Sequence, residues 1–276
     1  MNTLVLACIA MVLLATNSLF TRAGVLDGTD PLAFAAIRVG AGAIVLGLLA
    51  ARRGISVRGA QRWIAATALV TYLVGFSLAY RSLDAGLGAL ILFATVQLTL
   101  FGIALQRGEG TNARQIGGMA LALGGLAWLL WPDGTTQTNL ADAALMIVAG
   151  AAWGVYTLAG RLEPRPLAGS AGNFIAAAGV FVLLAPVWLQ APVTLVGAAM
   201  AVASGAVASG IGYAILFRVL PSMGSTTAGL MQLSVPVIAM GLGAVLLAEV
   251  PSTRAMAAAG LVLAGIAFAT YRPRSA

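Results

Sequence analysis

Long apolar runs alternate with short polar joints along the whole chain. The runs lie near 3–22, 31–51, 63–83, 86–106, 114–131, 141–161, 167–188, 195–218, 223–247 and 254–271. Each approaches the roughly 20 residues that a helix needs to cross a bilayer. The joints carry turn residues: Asp27-Gly28, Arg53-Gly54, Gly108 with Gly110, Pro132-Asp133-Gly134, Pro164 with Pro166, and Pro251. None of them is long enough to hold a soluble domain. A lipid-facing barrel strand would alternate apolar with polar positions, and these runs do not. Helices satisfy their own backbone in hydrocarbon, so the pattern predicts an all-α membrane protein of ten transmembrane helices. The first run starts at Thr3 with no basic stretch before it, and reads as a spanning helix rather than a signal peptide.

Composition agrees. The chain is 61% hydrophobic and 8% charged, against about 25% charged in soluble domains. So few charges cannot coat a water-facing surface of this size. The net charge of +7 comes entirely from arginine, with no lysine or histidine. On a soluble domain it would suggest nucleic acid. Here the arginines flank apolar runs, which points to lipid headgroups and excludes a nucleic-acid partner. With the N-terminus placed in the cytoplasm, Arg52, Arg53, Arg58, Arg62, Arg107, Arg114, Arg161, Arg165, Arg218, Arg272 and Arg274 fall on the cytoplasmic side. Arg22, Arg38, Arg81 and Arg254 go to the other side, with most of the acidic residues. This asymmetry predicts a multi-pass protein of a bacterial-type inner membrane with both termini in the cytoplasm.

The halves echo each other at an offset near 136. Pro31-Leu32-Ala33 matches Pro166-Leu167-Ala168, Tyr80-Arg81 matches Phe217-Arg218, Gln97-Leu98 matches Gln232-Leu233, and Gly125 matches Gly265. Residues 1–137 are read as one five-helix repeat and 138–276 as a second. Five is odd, so the repeats must be inverted. That arrangement in transporters places the solute site near the midplane between them.

The pattern resembles the drug/metabolite transporter superfamily in its EamA-type branch. The residues that carry the likeness are Arg38, the Trp153-Gly154-Val155-Tyr156 run, Pro236, Glu249 and the glycine-rich last helix. Two departures stand beside them. Ala15-Thr16-Asn17 occupies the place where the family often has a Trp-Gly pair, and the fourth helix has no proline matching Pro236. The resemblance implies export of amino acids or related metabolites, as in the YddG-like group.

Polar and aromatic side chains at membrane depth should face the interior. Tyr72, Phe76 and Tyr80 share one face of the third helix, and Ser209, Tyr213 and Phe217 share one face of the eighth. Asn17, Phe20, Gln97, Trp153, Tyr156 and Gln232 complete the expected cavity lining. Packing and interhelical bonding are the alternatives for these groups, and interfacial anchoring for Tyr80, Trp63, Trp128, Trp131, Trp188 and Tyr271. Arg38 lies about 10 Å inside its helix at 1.5 Å per residue, and serves either carbonyl capping and snorkelling or the capture of a carboxylate. Pro236 is a candidate hinge or a static kink. Gly150 with Gly154, and Gly205 with Ser209, are read as close-packing pairs. Val262 is expected to face lipid.

Enzymatic readings find no support. There is no phosphate-binding loop, no histidine, a lone Cys8, and no paired acids at depth. No cofactor or metal is expected. The partners are a small-molecule solute and the bilayer. The oligomeric state is not legible, a monomer being the simpler expectation. The function expected is facilitative export by alternating access, without proton coupling. The alternative is a proton-coupled exporter of drugs or lipophilic metabolites.

Overall fold

The computed structural model describes residues 3–108, 112–131, 139–161, 163–219 and 231–270. Glu109, Gly110, Pro132, Asp133, Gly134, Tyr271, Arg272 and Arg274 lie outside them. All regular structure among the described residues is helical. The helices are α1 (Thr3–Leu26), α2 (Pro31–Ala50), α3 (Ala60–Ala79), α4 (Ala85–Gln106), α5 (Ala113–Leu130), α6 (Leu140–Arg161) and α7 (Pro166–Leu183). They continue with α8 (Leu195–Val219), α9 (Ser234–Leu246) and α10 (Thr253–Thr270). Nine are long and apolar enough to span a membrane, and α9 is a shorter apolar helix.

Local sequence explains the ends. The repeated Pro-Leu-Ala places Pro31 and Pro166 in the first turns of α2 and α7, where the missing N–H is no loss. Asp30 caps α2 by accepting from the amides of Leu32 and Ala33 at 2.9 and 3.0 Å. Asn112 and Gln115 close a reciprocal capping box on α5. The seventh helix ends at Leu183 rather than at 188. A turn at Leu184 intervenes, and Ala185–Trp188 forms a separate short helix with Pro186 inside it. The first helix runs four residues beyond 22, so Arg22 lies within the helix rather than at its end.

The helices pack as an exchanged pair of halves. Each first helix meets the third helix of the other half, α1 with α8 and α6 with α3. Each first helix also meets the other half's fourth helix, α1 with α9 and α6 with α4. The second helices meet each other, as do the fifth helices. Reciprocity of this kind is what a two-fold relation between repeats produces. The fold is all-α, with two inverted five-helix repeats.

Small residues set the approach distances. A methyl at Gly118 would meet the carbonyl of Gly265, and one at Gly265 would meet the carbonyl of Gly118. So α5 and α10 touch backbone to backbone. Gly150 and Gly154 likewise lie against Thr95 and Thr99 of α4, which supports their reading as packing residues. Val262 does not face lipid. It is fully buried against Gly125 in the seam of α5 and α10. Trp63, Trp128 and Trp131 are exposed on the outside of the bundle.

Candidate solute site between the repeats

The two halves meet around a buried arginine. Arg38 of α2 has no exposed surface. Its Nε donates to Ser209 Oγ at 3.2 Å and its Nη2 donates to the Tyr72 hydroxyl at 2.9 Å. The guanidinium carbon stands 5.0 Å from the ring centre of Phe76 and 5.3 Å from that of Tyr72, within cation–π range. Tyr213 lies beside the cation as well. The reading of Arg38 as snorkelling outward is set aside by this burial.

Asn17 of α1 joins the network. Its Oδ1 accepts from Ser204 Oγ at 2.8 Å and from Ser209 Oγ at 3.2 Å. Those serines are five residues apart. On an α-helix that separation turns a side chain about 140° away. Residues Ser204–Ile211 instead form a π-helical stretch within α8, so both hydroxyls reach one amide. Gly205 lies in the same stretch, and a side chain there would collide with the Arg38 carbonyl. The π-turn thus lets α8 lie directly on α2. Ser209, read both as half of a packing pair and as part of the cavity lining, is a polar ligand of Arg38.

Around this centre runs a continuous string of rings. Tyr72 contacts Phe76 at 5.0 Å and Trp153 at 4.8 Å between ring centres, and Phe76 contacts Tyr80 edge-on at 4.8 Å. Trp153 meets Tyr156 at 5.3 Å and Tyr213 at 5.0 Å. Tyr156 reaches Phe217 at 6.3 Å, and Tyr213 reaches Phe174 at 5.8 Å. The expected stripes on α3, α6 and α8 therefore converge. Tyr80 is no interfacial anchor. It is fully buried, and its hydroxyl donates to the Ala85 carbonyl at 3.3 Å.

Other expected lining residues stand apart. Phe20 is half-buried and outside the string of rings. Gln97 in α4 and Gln232 just before α9 are buried, but none of the central bonds given above involves them. Pro236 is buried near the start of α9, three residues after the turn at Leu233 that interrupts the segment. The proline ring excludes the carbonyl four residues back, that of Gln232, which accounts for the interruption there.

Each end of this centre is closed by an ion pair between the halves. At one end Arg22 Nε meets Glu249 Oε1 at 2.7 Å. Arg22 also donates to the carbonyls of Tyr80 and Arg81 at 2.9 and 3.1 Å. The other oxygen of Glu249 accepts from the Ala85 amide at 2.7 Å, at the start of α4. At the opposite end Arg62 Nη2 meets Glu163 Oε2 at 2.7 Å, and its Nη1 donates to the Gly169 carbonyl and to Asn173 Oδ1, both at 2.8 Å. A cavity among Tyr156, Glu163, Ser170, Asn173 and Phe217 has room for about one water molecule. Sequence reasoning missed both closures. A signal existed in Arg62, a cation in the first turn of a helix, where the dipole disfavours it unless an acid is near.

Comparison with known sequences settles the class. The EamA-like transporter family matches twice, over residues 1–131 and 141–271. The chain belongs to this family. Membership makes it a multi-pass membrane transporter of small solutes, and the double match gives each half one copy of the family unit. An uncharacterized protein of Pseudomonas aeruginosa is 44% identical over 269 residues, covering 96% of this chain and 93% of that one. A protein of known crystal structure superposes with a TM-score of 0.68 over 97% of this chain and 96% of that chain. At 21% identity, that likeness shows the fold alone.

Proposed function

We propose that this EamA-family protein is a facilitative carrier that exports amino acids or related small metabolites by alternating access. The observation that carries the reading is the arrangement of one buried polar centre between two closures. Arg38, Tyr72, Asn17 and Ser209 join the halves in the middle, and an inter-half ion pair joins them at each end. Opening one closure at a time admits a solute from one side only, as inverted repeats permit. Arg38 stays protonated at any ordinary pH, so the centre offers no group to carry a proton near neutrality. Net flux then follows the solute's own gradient. The chemistry is binding and release, not catalysis.

The arginine distribution supports an inner-membrane protein with cytoplasmic termini, the Arg62–Glu163 end facing the cytoplasm. Single cysteines at Gly54 and Gly134 in a Cys8→Ser background test this, since they should label from opposite sides in intact cells. Labelling of the Gly54 position from outside reverses the assignment.

Proteoliposomes with equal amino acid on both sides and no ion gradient test the transport reading. Tracer exchange is expected, and an imposed pH step should drive no uphill accumulation. One observation favours proton coupling as a second reading: Glu249 is a mostly buried carboxyl that links the halves. Accumulation driven by a proton gradient and lost in Glu249→Gln would select that reading.

A further inference from the structure

Arg38 is a cation in the interior of a membrane bundle, and among the described residues no acid is bonded to it. Its polar partners, Ser209 and Tyr72, and the adjacent Tyr213 are neutral. A guanidinium carries five N–H donors, and the buried Nη1 has no hydrogen-bond partner. Two further buried polar atoms in the same cluster are also unmet among the described residues, the Tyr156 hydroxyl and an indole N–H. The indole Nε1 of Trp153 finds no partner, although Trp153 is 3% exposed and its ring packs on both Tyr72 and Tyr213. Buried donors are ordinarily satisfied, and leaving one unmade is costly, more so when it is charged. Of these, the Arg38 and Trp153 donors belong to side chains that both pack against the Tyr72 ring, one from each half of the protein.

Resting on the transport reading above, we propose that the solute bears a carboxylate and that this group seats on Arg38 Nη1 and Trp153 Nε1. A carboxylate has two acceptor oxygens, which suits two unmet donors on side chains that pack against the same Tyr72 ring. It also supplies the negative charge that no described residue bonds to Arg38. The rest of the solute lies along Tyr156, Tyr213 and Phe76, so an apolar or aromatic side chain is favoured over a second charge. Binding draws α2 of the first half and α6 of the second onto one ligand, which couples occupancy to the approach of the halves. Among the described residues the cluster holds no second cation for a dicarboxylate.

The test is binding of matched acid and amide pairs to the purified full-length protein. L-phenylalanine against L-phenylalaninamide, and L-leucine against L-leucinamide, are titrated while thermal unfolding and tryptophan fluorescence are followed. The acids should raise the midpoint and bind at least about tenfold tighter than the amides. Arg38→Gln should erase that discrimination, Arg38→Lys should retain part of it, and Trp153→Phe should weaken acids a few-fold while leaving amides unchanged. If Arg38→Gln does not fold, the Lys and Phe variants carry the decision. A purely structural Arg38 would lower stability without altering acid–amide selectivity. Equal binding of acids and amides, no binding of either acid, or unchanged selectivity in the folded variants overturns the proposal. Binding needs no gradient, so the two readings fail separately. Acid binding without exchange in liposomes refutes transport, whereas exchange of amides with no acid binding refutes the carboxylate seat.

Discussion

The two ends of the bundle are closed by the same device but fastened differently. In each, an arginine of the first half meets a glutamate of the second at 2.7 Å. Glu249 is held to the first half by both oxygens, one on Arg22 and the other on the Ala85 amide. Glu163 is held across the interface by one oxygen only. Its other oxygen accepts from the Arg165 amide, within its own half, at 3.2 Å. Arg22 is further clamped by the carbonyls of Tyr80 and Arg81, with Asp84 at 3.6 Å. Release at the Glu249 end therefore breaks several bonds at once. At the Glu163 end Arg62 retains Asn173 and the Gly169 carbonyl even without the acid. The difference teaches that similar ion pairs serve as a firm seal or as a working latch according to what else holds the carboxylate.

The largest effect is expected from Glu249→Ala. It leaves Arg22 buried without its closest acid and frees the first amide of α4, and breaking a buried pair in this way costs about 3 kcal/mol. Unfolding of the purified protein should register the loss. Glu163→Ala should cost about 1 kcal/mol, because its side chain and that of Arg62 are somewhat more open and Arg62 keeps other acceptors. Equal losses in the two variants would mean that the second oxygen of Glu249 contributes nothing.

A smaller effect on stability, but a clear one on access, should follow at the Glu163 end. Ser170 is buried and borders the small cavity there. A Ser170→Cys probe in the Cys8→Ser background should react slowly with a water-soluble thiol reagent. Adding Glu163→Ala should speed the reaction about tenfold, which corresponds to about 1.4 kcal/mol of easier local opening. Glu249→Gln should leave the Ser170→Cys rate unchanged or slow it, if closing one end accompanies opening the other. Acceleration by both substitutions alike would indicate general loosening rather than two separate closures.

Much of this architecture was legible in the chain. Continuous apolar runs located the spans, because lipid leaves helices little choice. Residue spacing put Tyr72, Phe76 and Tyr80 on one face, and the repeat offset carried that stripe onto Tyr213 and Phe217, where the rings do converge. What the chain did not disclose depends on partners distant in sequence. Arg22 reads as the last residue of its span, and its bond to Glu249, 227 positions away, is not legible from the run itself. The pairing of Ser204 with Ser209 requires a π-turn, which α-helical spacing would not suggest. Val262 looked like any lipid-facing valine, and only the glycine contact of α5 with α10 buries it. Low-complexity helices hide such faces because Ala, Val and Leu suit lipid and core equally.

The smallest effect is expected from a third ion pair, which tests whether counting charges explains the firmness of the Glu249 end. Arg81 there donates to Asp142 Oδ1 at 2.9 Å, so the geometry is as good as elsewhere. Its side chain, however, is 53% exposed, while that of Asp142 is 3% exposed. Asp142 also accepts from Ser82 Oγ at 2.7 Å and sits in the first turn of α6, where the helix dipole favours a negative charge. The acid is therefore provided for without the arginine. Water already solvates Arg81, so its pairing energy is screened and its loss should cost less than about 0.5 kcal/mol. Arg81→Gln should leave the unfolding midpoint within error at moderate salt, with any small loss shrinking further as salt is raised. Asp142→Ala should cost more, since it removes a buried acceptor that binds both Arg81 and Ser82. If Arg81→Gln proved as damaging as Glu249→Ala, the number of charges at that end would matter more than how each carboxylate is held, and the contrast between seal and latch would fall.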